Sequence, residues 1–388
     1  MSQVEFLRDV ARGAPESGIV ELVNHARGRA DLIPLWVGEG DLPTPDFITR
    51  AASEALAAGE TFYTWQRGIP ELREALARYY ARQFGGAFKA EEFIVSTSGM
   101  HAIQMAIDAV AGHGDEIVYL SPAWPNFAAS AELAGVKPVP VTLERSGNGW
   151  ACDVEKIRAA VSGSTKAIFI NSPSNPTGWT ADLTTLKSIL DVAREKGVWL
   201  IADEIYSRFY YGGARAPSFI DVMEPDDRII FVNSFSKNWS MTGWRIGWLR
   251  THPSLQQVFE NLVQYSVSGV PAFLQRGAVA ALDHGDAFVD EQVQRARAAR
   301  DIVCDRLLAT GRVKLAAPEG AFYAFFSIDG VTDTRQAALD LVDSCGVGLA
   351  PGSAFGAGGD GSFRLCFHRR LDHVEEAAGR IADWIRKI

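Results

Sequence analysis

The chain has 388 residues, of which 47% are hydrophobic and 22% charged; this is the composition of a folded globular protein and excludes a disordered one. Its length exceeds what one ordinary hydrophobic core serves, so two domains are expected. A formal net charge of −9 makes it a poor partner for nucleic-acid phosphates, and no window carries the ~18 consecutive apolar residues of a membrane helix.

The N-terminal run MSQVEFLRDVARGAPESG has no apolar stretch of signal-peptide length. The four cysteines, Cys152, Cys304, Cys345 and Cys366, form no CxxC pair and no zinc-like spacing with a histidine. Four buried thiols, no metal and a cytoplasmic location are therefore expected.

Taken in chain order, residues 1–45 carry few helix or strand signals and are expected to wrap onto a small domain or a partner subunit. Seven short apolar runs follow, at 92–95, 116–120, 136–142, 167–170, 198–202, 229–232 and 246–249. Most are apolar throughout, as strands are when both faces are buried in a largely parallel sheet. Helical patterns separate several of them. One covers 100–111 after Gly99, and another covers 183–196 after Asp182, whose carboxylate suits an N-cap. The alternation predicts an α/β large domain over 46–285, with a mostly parallel seven-stranded sheet flanked by helices. Beyond it, 287–309 reads as one long helix. Residues 321–328, 347–350 and 362–367 read as short strands, and 374–386 as a final amphipathic helix. With residues 1–45, the stretch 286–388 predicts a smaller α+β domain.

The chemistry concentrates first in SFSKNWSMTGWRIGW, residues 234–248. The strand before it delivers Ser234, Lys237 and, eight positions later, Arg245. A nearby cation and burial both disfavour the ammonium and lower a lysine pKa. A lysine freed of its proton can form a Schiff base. Arg245 and the Ser234 hydroxyl suit a phosphate. At 96–101, STSGMH places Gly99 at a helix start, where free amides favour an anion. The amides of Gly99, Met100 and His101 are the expected phosphate contacts, without need of the His101 side chain.

These residues resemble the cofactor-lysine segment of class I and II aminotransferases, fold-type I enzymes that use pyridoxal 5′-phosphate. The resemblance implies that the cofactor is held as an internal aldimine on Lys237. It extends, in order, from about Gly38 to Arg364. In NSPSNPTG (171–178), Asn175 matches the residue that meets the cofactor phenolic oxygen and helps hold the substrate carboxylate, with a cis bond to Pro176. In ADEIY (202–206), Asp203 matches the partner of the pyridine nitrogen, and Tyr206 shares the phenolic oxygen. Trp124, in SPAWPNF, matches the aromatic stacked on the ring. Arg364, in SFRLCF, matches the grip on the substrate α-carboxylate, and the Gly38 amide falls where the same carboxylate is met. Tyr63, in TFYTWQRGIPELR, matches a tyrosine that reaches the neighbouring subunit's phosphate, which implies a homodimer with shared active sites.

What the resemblance implies is a ping-pong transfer of the amino group from an L-amino acid to a 2-oxo acid, with Lys237 as the catalytic base and acid. The same residues would serve a β-elimination from a cysteine conjugate, which would release pyruvate and ammonia without an acceptor. A non-catalytic ligand sensor of this fold would need a fused DNA-binding module, and no basic helix pair precedes the matched region. The substrate side chain stays open. Some aspartate-using relatives carry a lysine directly after the Gly99 position, where this chain has Met100. The aromatics at 61–65 and 124–127 suit an apolar or aromatic substrate.

Overall fold

The computed structural model describes residues 3–16, 18–146 and 149–388. All seven expected apolar runs become strands of one sheet. Its order is Phe93–Ser96, Gly247–Arg250, Ile229–Ser234, Trp199–Asp203, Thr165–Asn171, Glu116–Ser121 and Lys137–Thr142. Gly247–Arg250 runs antiparallel to both neighbours, and the remaining pairs are parallel. Successive residues point to opposite faces of a strand, and here both faces are covered. Ile94, Phe169, Ile201 and Ile230 pack on one side with Ile103 and Ile107 of the Gly99–Val110 helix. Val118, Ile168, Leu200 and Phe231 pack on the other with Leu186 and Ile189 of the Leu183–Lys196 helix. That second helix starts as expected, with the Asp182 carboxylate accepting from the Thr185 amide at 2.7 Å. Lys137–Thr142 is the exception to full burial. It is an exposed edge, and Pro138 and Pro140 remove N–H donors that could template further pairing.

A second sheet pairs Val313–Leu315, Tyr323–Ile328, Ser362–Cys366 and Ala350–Pro351, all antiparallel. The long helix Asp286–Leu308 packs against the last helix, Leu371–Lys387. The expected strand over 347–350 is in fact two. Val347–Gly348 pairs in parallel with Ile33–Pro34, and Ala350–Pro351 joins Ser362–Cys366. The N-terminal stretch holds a regular helix, Gly18–His25, whose Leu22 and following Ala26 are buried in the core that packs on the second sheet. One buried residue in eight gives too faint a period to read from sequence. Two of the four free cysteines, Cys304 and Cys366, are buried; Cys152 and Cys345 are only partly so, which corrects the expectation of four buried thiols. Among the described residues, no helix is long and apolar enough to cross a membrane.

The topology gathers the chemistry at one edge. The strands ending at Ser96, Ser121, Asn171, Asp203 and Ser234 run in parallel, so the loops after them open on the same side. The antiparallel strand starts there, just after Arg245. In open α/β sheets, this carboxyl edge is where ligands bind.

Candidate active site

A cavity of about 510 Å³ lies at this edge. Its wall includes Gly38, Gly99, Met100, Trp124, Asn175, Asp203, Tyr206, Ser234, Lys237, Arg245 and Arg364. Eleven of the thirteen residues singled out in the sequence thus meet in one place; His101 and Tyr63 are the two that do not.

Lys237 sits in the short helix Phe235–Asn238 that follows the Ile229–Ser234 strand. Its Nζ donates to the Gly38 carbonyl at 2.6 Å. Burial pulls its pKa down to about 8, and the charges of Arg364 and Arg245 push the same way against Cys366 and Glu39. Its neutral form is then far more accessible near neutral pH than that of an ordinary lysine, as a nucleophilic amine requires. Gly38 is required by space: a Cβ there would lie 2.3 Å from Tyr323 Oη. Its carbonyl, rather than the amide expected to meet a carboxylate, is the group with a partner here.

Asp203 ends the Trp199–Asp203 strand and is buried. Burial raises its pKa to about 7, opposed by the Ile205 amide, which donates to Oδ1 at 3.3 Å, and by Lys237. A carboxylate in such a place suits a cationic ring N–H. The Asp203 carbonyl accepts from Asn171 Nδ2 at 3.2 Å, and Asn171 Oδ1 accepts from the Asn175 amide at 2.9 Å. This relay fixes the loop in which Asn175–Pro176 is cis, as expected. Tyr206 shares a 2.7 Å hydrogen bond between phenols with Tyr323. Burial raises the Tyr206 pKa well above its ordinary value, so the phenol stays protonated and can donate.

Arg364 lies mid-strand in the smaller sheet, opposite Phe325 and Ala350, and is 3% exposed. Its Nη1 donates to Asn175 Oδ1 at 3.1 Å and its Nη2 to the Trp36 carbonyl. The rings of Tyr323 and Phe355 lie 4.8 and 4.7 Å from its guanidinium carbon. Among the described residues its partners are neutral oxygens, and its Nε has none. A buried cation is costly unless an anion meets it.

At the other end of the cavity, Ser98 caps the Gly99–Val110 helix: its Oγ accepts from the His101 amide at 3.0 Å. This takes up the amide that the sequence assigns to a phosphate, and the His101 ring bonds Ser266 at 3.0 Å. Gly99 and Met100, at the first turn, still line the cavity. Ser234 Oγ accepts from the Ser236 amide at 3.1 Å, and Arg245, in a left-handed turn with φ 54°, donates to the Thr242 carbonyl at 2.6 Å. Tyr63 is 94% exposed and lies beside Phe62, Val267 and Pro271 in a separate hollow. It belongs to no core of its own chain.

The wall features not singled out in the sequence include Tyr323, Ser236, Asn171, the Trp36 segment and the helix Gly18–His25 with Ile19, Val20 and Val23. Tyr323 hides in an apolar strand, where an aromatic reads as core.

A family model, Aminotransferase class I and II, matches residues 30–381. The chain belongs to this family. The aminotransferase is 34% identical over 368 residues to an aspartate aminotransferase of Pyrococcus horikoshii, covering 94% of this chain and 93% of the relative. It is 33% identical to a probable N-acetyl-LL-diaminopimelate aminotransferase of Bacillus subtilis, covering 98% and 96%. Among solved structures, an aspartate aminotransferase of Thermotoga maritima superposes with a TM-score of 0.90 at 32% identity, covering 97% and 99%. An alanine aminotransferase of Pyrococcus furiosus superposes with 0.92 at 28%, covering 98% and 100%. The fold is that of the fold-type I aminotransferases, and the activity is amino-group transfer between an amino acid and a 2-oxo acid.

Proposed function

We propose that the cavity holds pyridoxal phosphate on Lys237 and that Arg364 holds the substrate α-carboxylate. The observation that carries this reading is Arg364: a buried guanidinium with a bare Nε and no anion among the described residues, on the wall it shares with Lys237.

The residues present fit the cofactor. Asp203, buried and drawn toward neutrality when alone, would be stabilised as a carboxylate by a pyridinium N–H. Asn175 and the protonated Tyr206 phenol would meet the phenolic oxygen, and Trp124 the ring face. The amides of Gly99 and Met100, with Ser234 and Arg245, would take the phosphate. His101 drops out of that set, since its amide already bonds Ser98. Once bound, the cofactor supplies an electron sink for the pair left when a Cα proton departs.

The rest is done by the chain. Arg364 orients the substrate through its α-carboxylate. Lys237 Nζ, depressed toward neutrality, takes the proton from the substrate Cα, and as an ammonium it can return one. The same groups serve both halves of a ping-pong reaction. The exposed aromatics Phe62, Tyr63 and Trp65 support a homodimer in which Tyr63 reaches the second copy's phosphate. Free thiols fit a reducing compartment such as the cytoplasm. No observation favours β-elimination or ligand sensing.

Purified protein supplied with pyridoxal phosphate should absorb in the visible, and borohydride should fix one label per chain on Lys237. Addition of an amino acid should bleach that band, with release of the matching 2-oxo acid. If Lys237→Ala is still labelled at full stoichiometry, the lysine assignment fails. Light scattering that returns the mass of one chain would remove the dimer.

A further inference from the structure

We propose that the substrate side-chain pocket takes amino acids with a single carboxylate and an apolar side chain, and that the amino acceptor is likewise a monocarboxylic 2-oxo acid. The proposal rests on the aminotransferase reading of the cavity and names its substrate class.

The cations on the wall are Lys237, Arg245 and Arg364. Each already has a task, at the amine, the phosphate and the α-carboxylate. Among the described residues lining the cavity there is no further Lys or Arg and no His to meet a second carboxylate. The rest of the wall includes the apolar Ile19, Val20, Val23, Met100, Ile103 and Trp124, and the neutral amide of Asn126.

The helix Gly18–His25 shows how this apolar end is built. Leu22 turns into the core and is fully buried. Val20 and Val23 are one turn apart on another face, 52% and 38% exposed, and both line the cavity. The helix approaches Ala354 closely at Gly18, where an added Cβ would lie 3.3 Å from Ala354 Cβ. The next residue is Phe355, whose ring covers the Arg364 guanidinium. The valine ridge therefore shares the cavity wall with the group proposed to hold the α-carboxylate. An apolar side chain would cover it and lose water in doing so. A second carboxylate would be desolvated there with no cation to meet it.

Both halves of a ping-pong reaction use one cavity, so the acceptor faces the same wall. The exposed 61–64 and 267–271 segments, with the tyrosine proposed to face a second copy, line a hollow of aromatic, aliphatic and hydroxyl residues and carry no charged side chain to offer it.

Half-reactions of the holoenzyme, followed by loss of the visible band, test this with L-alanine, L-leucine, L-methionine, L-phenylalanine, L-aspartate and L-glutamate. The best apolar donor should exceed both dicarboxylates in kcat/KM by at least about tenfold, a modest discrimination for a pocket of this kind. Pyruvate or a longer apolar 2-oxo acid should likewise exceed 2-oxoglutarate in the return half. A ratio below tenfold, or faster reaction with aspartate or glutamate, overturns the proposal and leaves the aminotransferase reading standing. Failure of every amino acid to bleach the band counts against that reading itself. Val20→Arg places a cation on the exposed ridge. It should shift the aspartate-to-apolar ratio toward aspartate by about tenfold, and an unchanged ratio overturns the placement of the side-chain pocket against this helix.

Discussion

Arg364 donates a 3.1 Å hydrogen bond from Nη1 to Asn175 Oδ1. Arg364 belongs to the smaller sheet, and Asn175 to the loop after the Thr165–Asn171 strand of the larger one. This single contact ties the proposed carboxylate grip to the relay that runs through Asn171 to the backbone of Asp203. An incoming carboxylate would be placed against residues whose positions both sheets fix.

Arg364→Ala should therefore lower kcat/KM for the amino acid by roughly 100- to 1000-fold, the usual consequence of removing one partner of a buried charge pair. The visible band of bound cofactor should persist. Stability should not fall in proportion, because the residue is a buried cation with neutral partners. Thermal unfolding beside steady-state kinetics checks both parts. A loss of cofactor band equal to the loss of activity would count against the assignment.

Tyr323→Phe removes the hydroxyl that shares the Tyr206 hydrogen bond and leaves the ring on Arg364. The expected stability cost is about 1 kcal/mol. Its distinguishing effect should be spectral. Tyr206 is assigned to the phenolic oxygen of the cofactor, so the visible band should shift in wavelength or in its pH midpoint. An unchanged spectrum would make Tyr323 a packing residue only.

Why Tyr323 escaped the sequence bears on how much of the molecule was legible there. The seven strands of the large sheet were readable because burial on both faces makes an apolar run conspicuous, as in Ile229–Ser234. Asp203 and Arg364 were readable because each is a charged group at the end of or within such a run, where it is costly without a task; Lys237 and Asn175 were readable through the motifs that resemble the family's. Tyr323 breaks no such rule, since an aromatic in a buried strand is ordinary. Val20 and Val23 are apolar in a helix with a single buried residue, Leu22, so no period marked them. The sequence places the His101 amide on a phosphate, and the structure gives that amide another partner. Ser98 adopts the cap and bonds the His101 amide, and a Ser-Gly pair does not reveal in advance which amides a cap will claim. The split of 347–350 into two pairings depends on Ile33–Pro34, more than three hundred residues away in the chain.

Gly38→Ala tests the close approach of the Trp36–Gly38 segment to Tyr323. A Cβ there would lie 2.3 Å from Tyr323 Oη, so the segment or the ring must move. Overpacking of this kind costs about 1–3 kcal/mol. The displacement should also disturb the Gly38 carbonyl that accepts from Lys237. Lower thermal stability is expected together with slower covalent capture of pyridoxal phosphate, measured by stopped-flow absorbance. Wild-type capture kinetics would show that the Gly38–Lys237 contact does not matter to the lysine.

The apoprotein should be least stabilised by Asp203 and Lys237 between about pH 7 and pH 8, and the two limbs can be separated. Burial raises the Asp203 pKa from 3.8 to about 7. Between those values the native state holds more protons than the unfolded state, so the stability contributed at Asp203 falls as pH rises. Burial lowers the Lys237 pKa from 10.5 to about 8. Between about 8 and 10.5 the unfolded state holds more protons, so the contribution at Lys237 rises with pH. Other groups titrate too, so the informative quantity is the difference between variant and wild type at each pH. Asp203→Asn should match wild type near pH 4, then gain in Tm relative to it up to about pH 7 and hold that gain above. Lys237→Met should gain as pH falls from about 10.5 to 8 and then level off. Bound cofactor should abolish the Asp203 limb, because a pyridinium N–H would give the carboxylate the partner that the apoprotein lacks. A flat Asp203→Asn difference between pH 4 and pH 8 would show that burial does not hold Asp203 protonated, and the case for its pairing with the ring nitrogen would weaken with it.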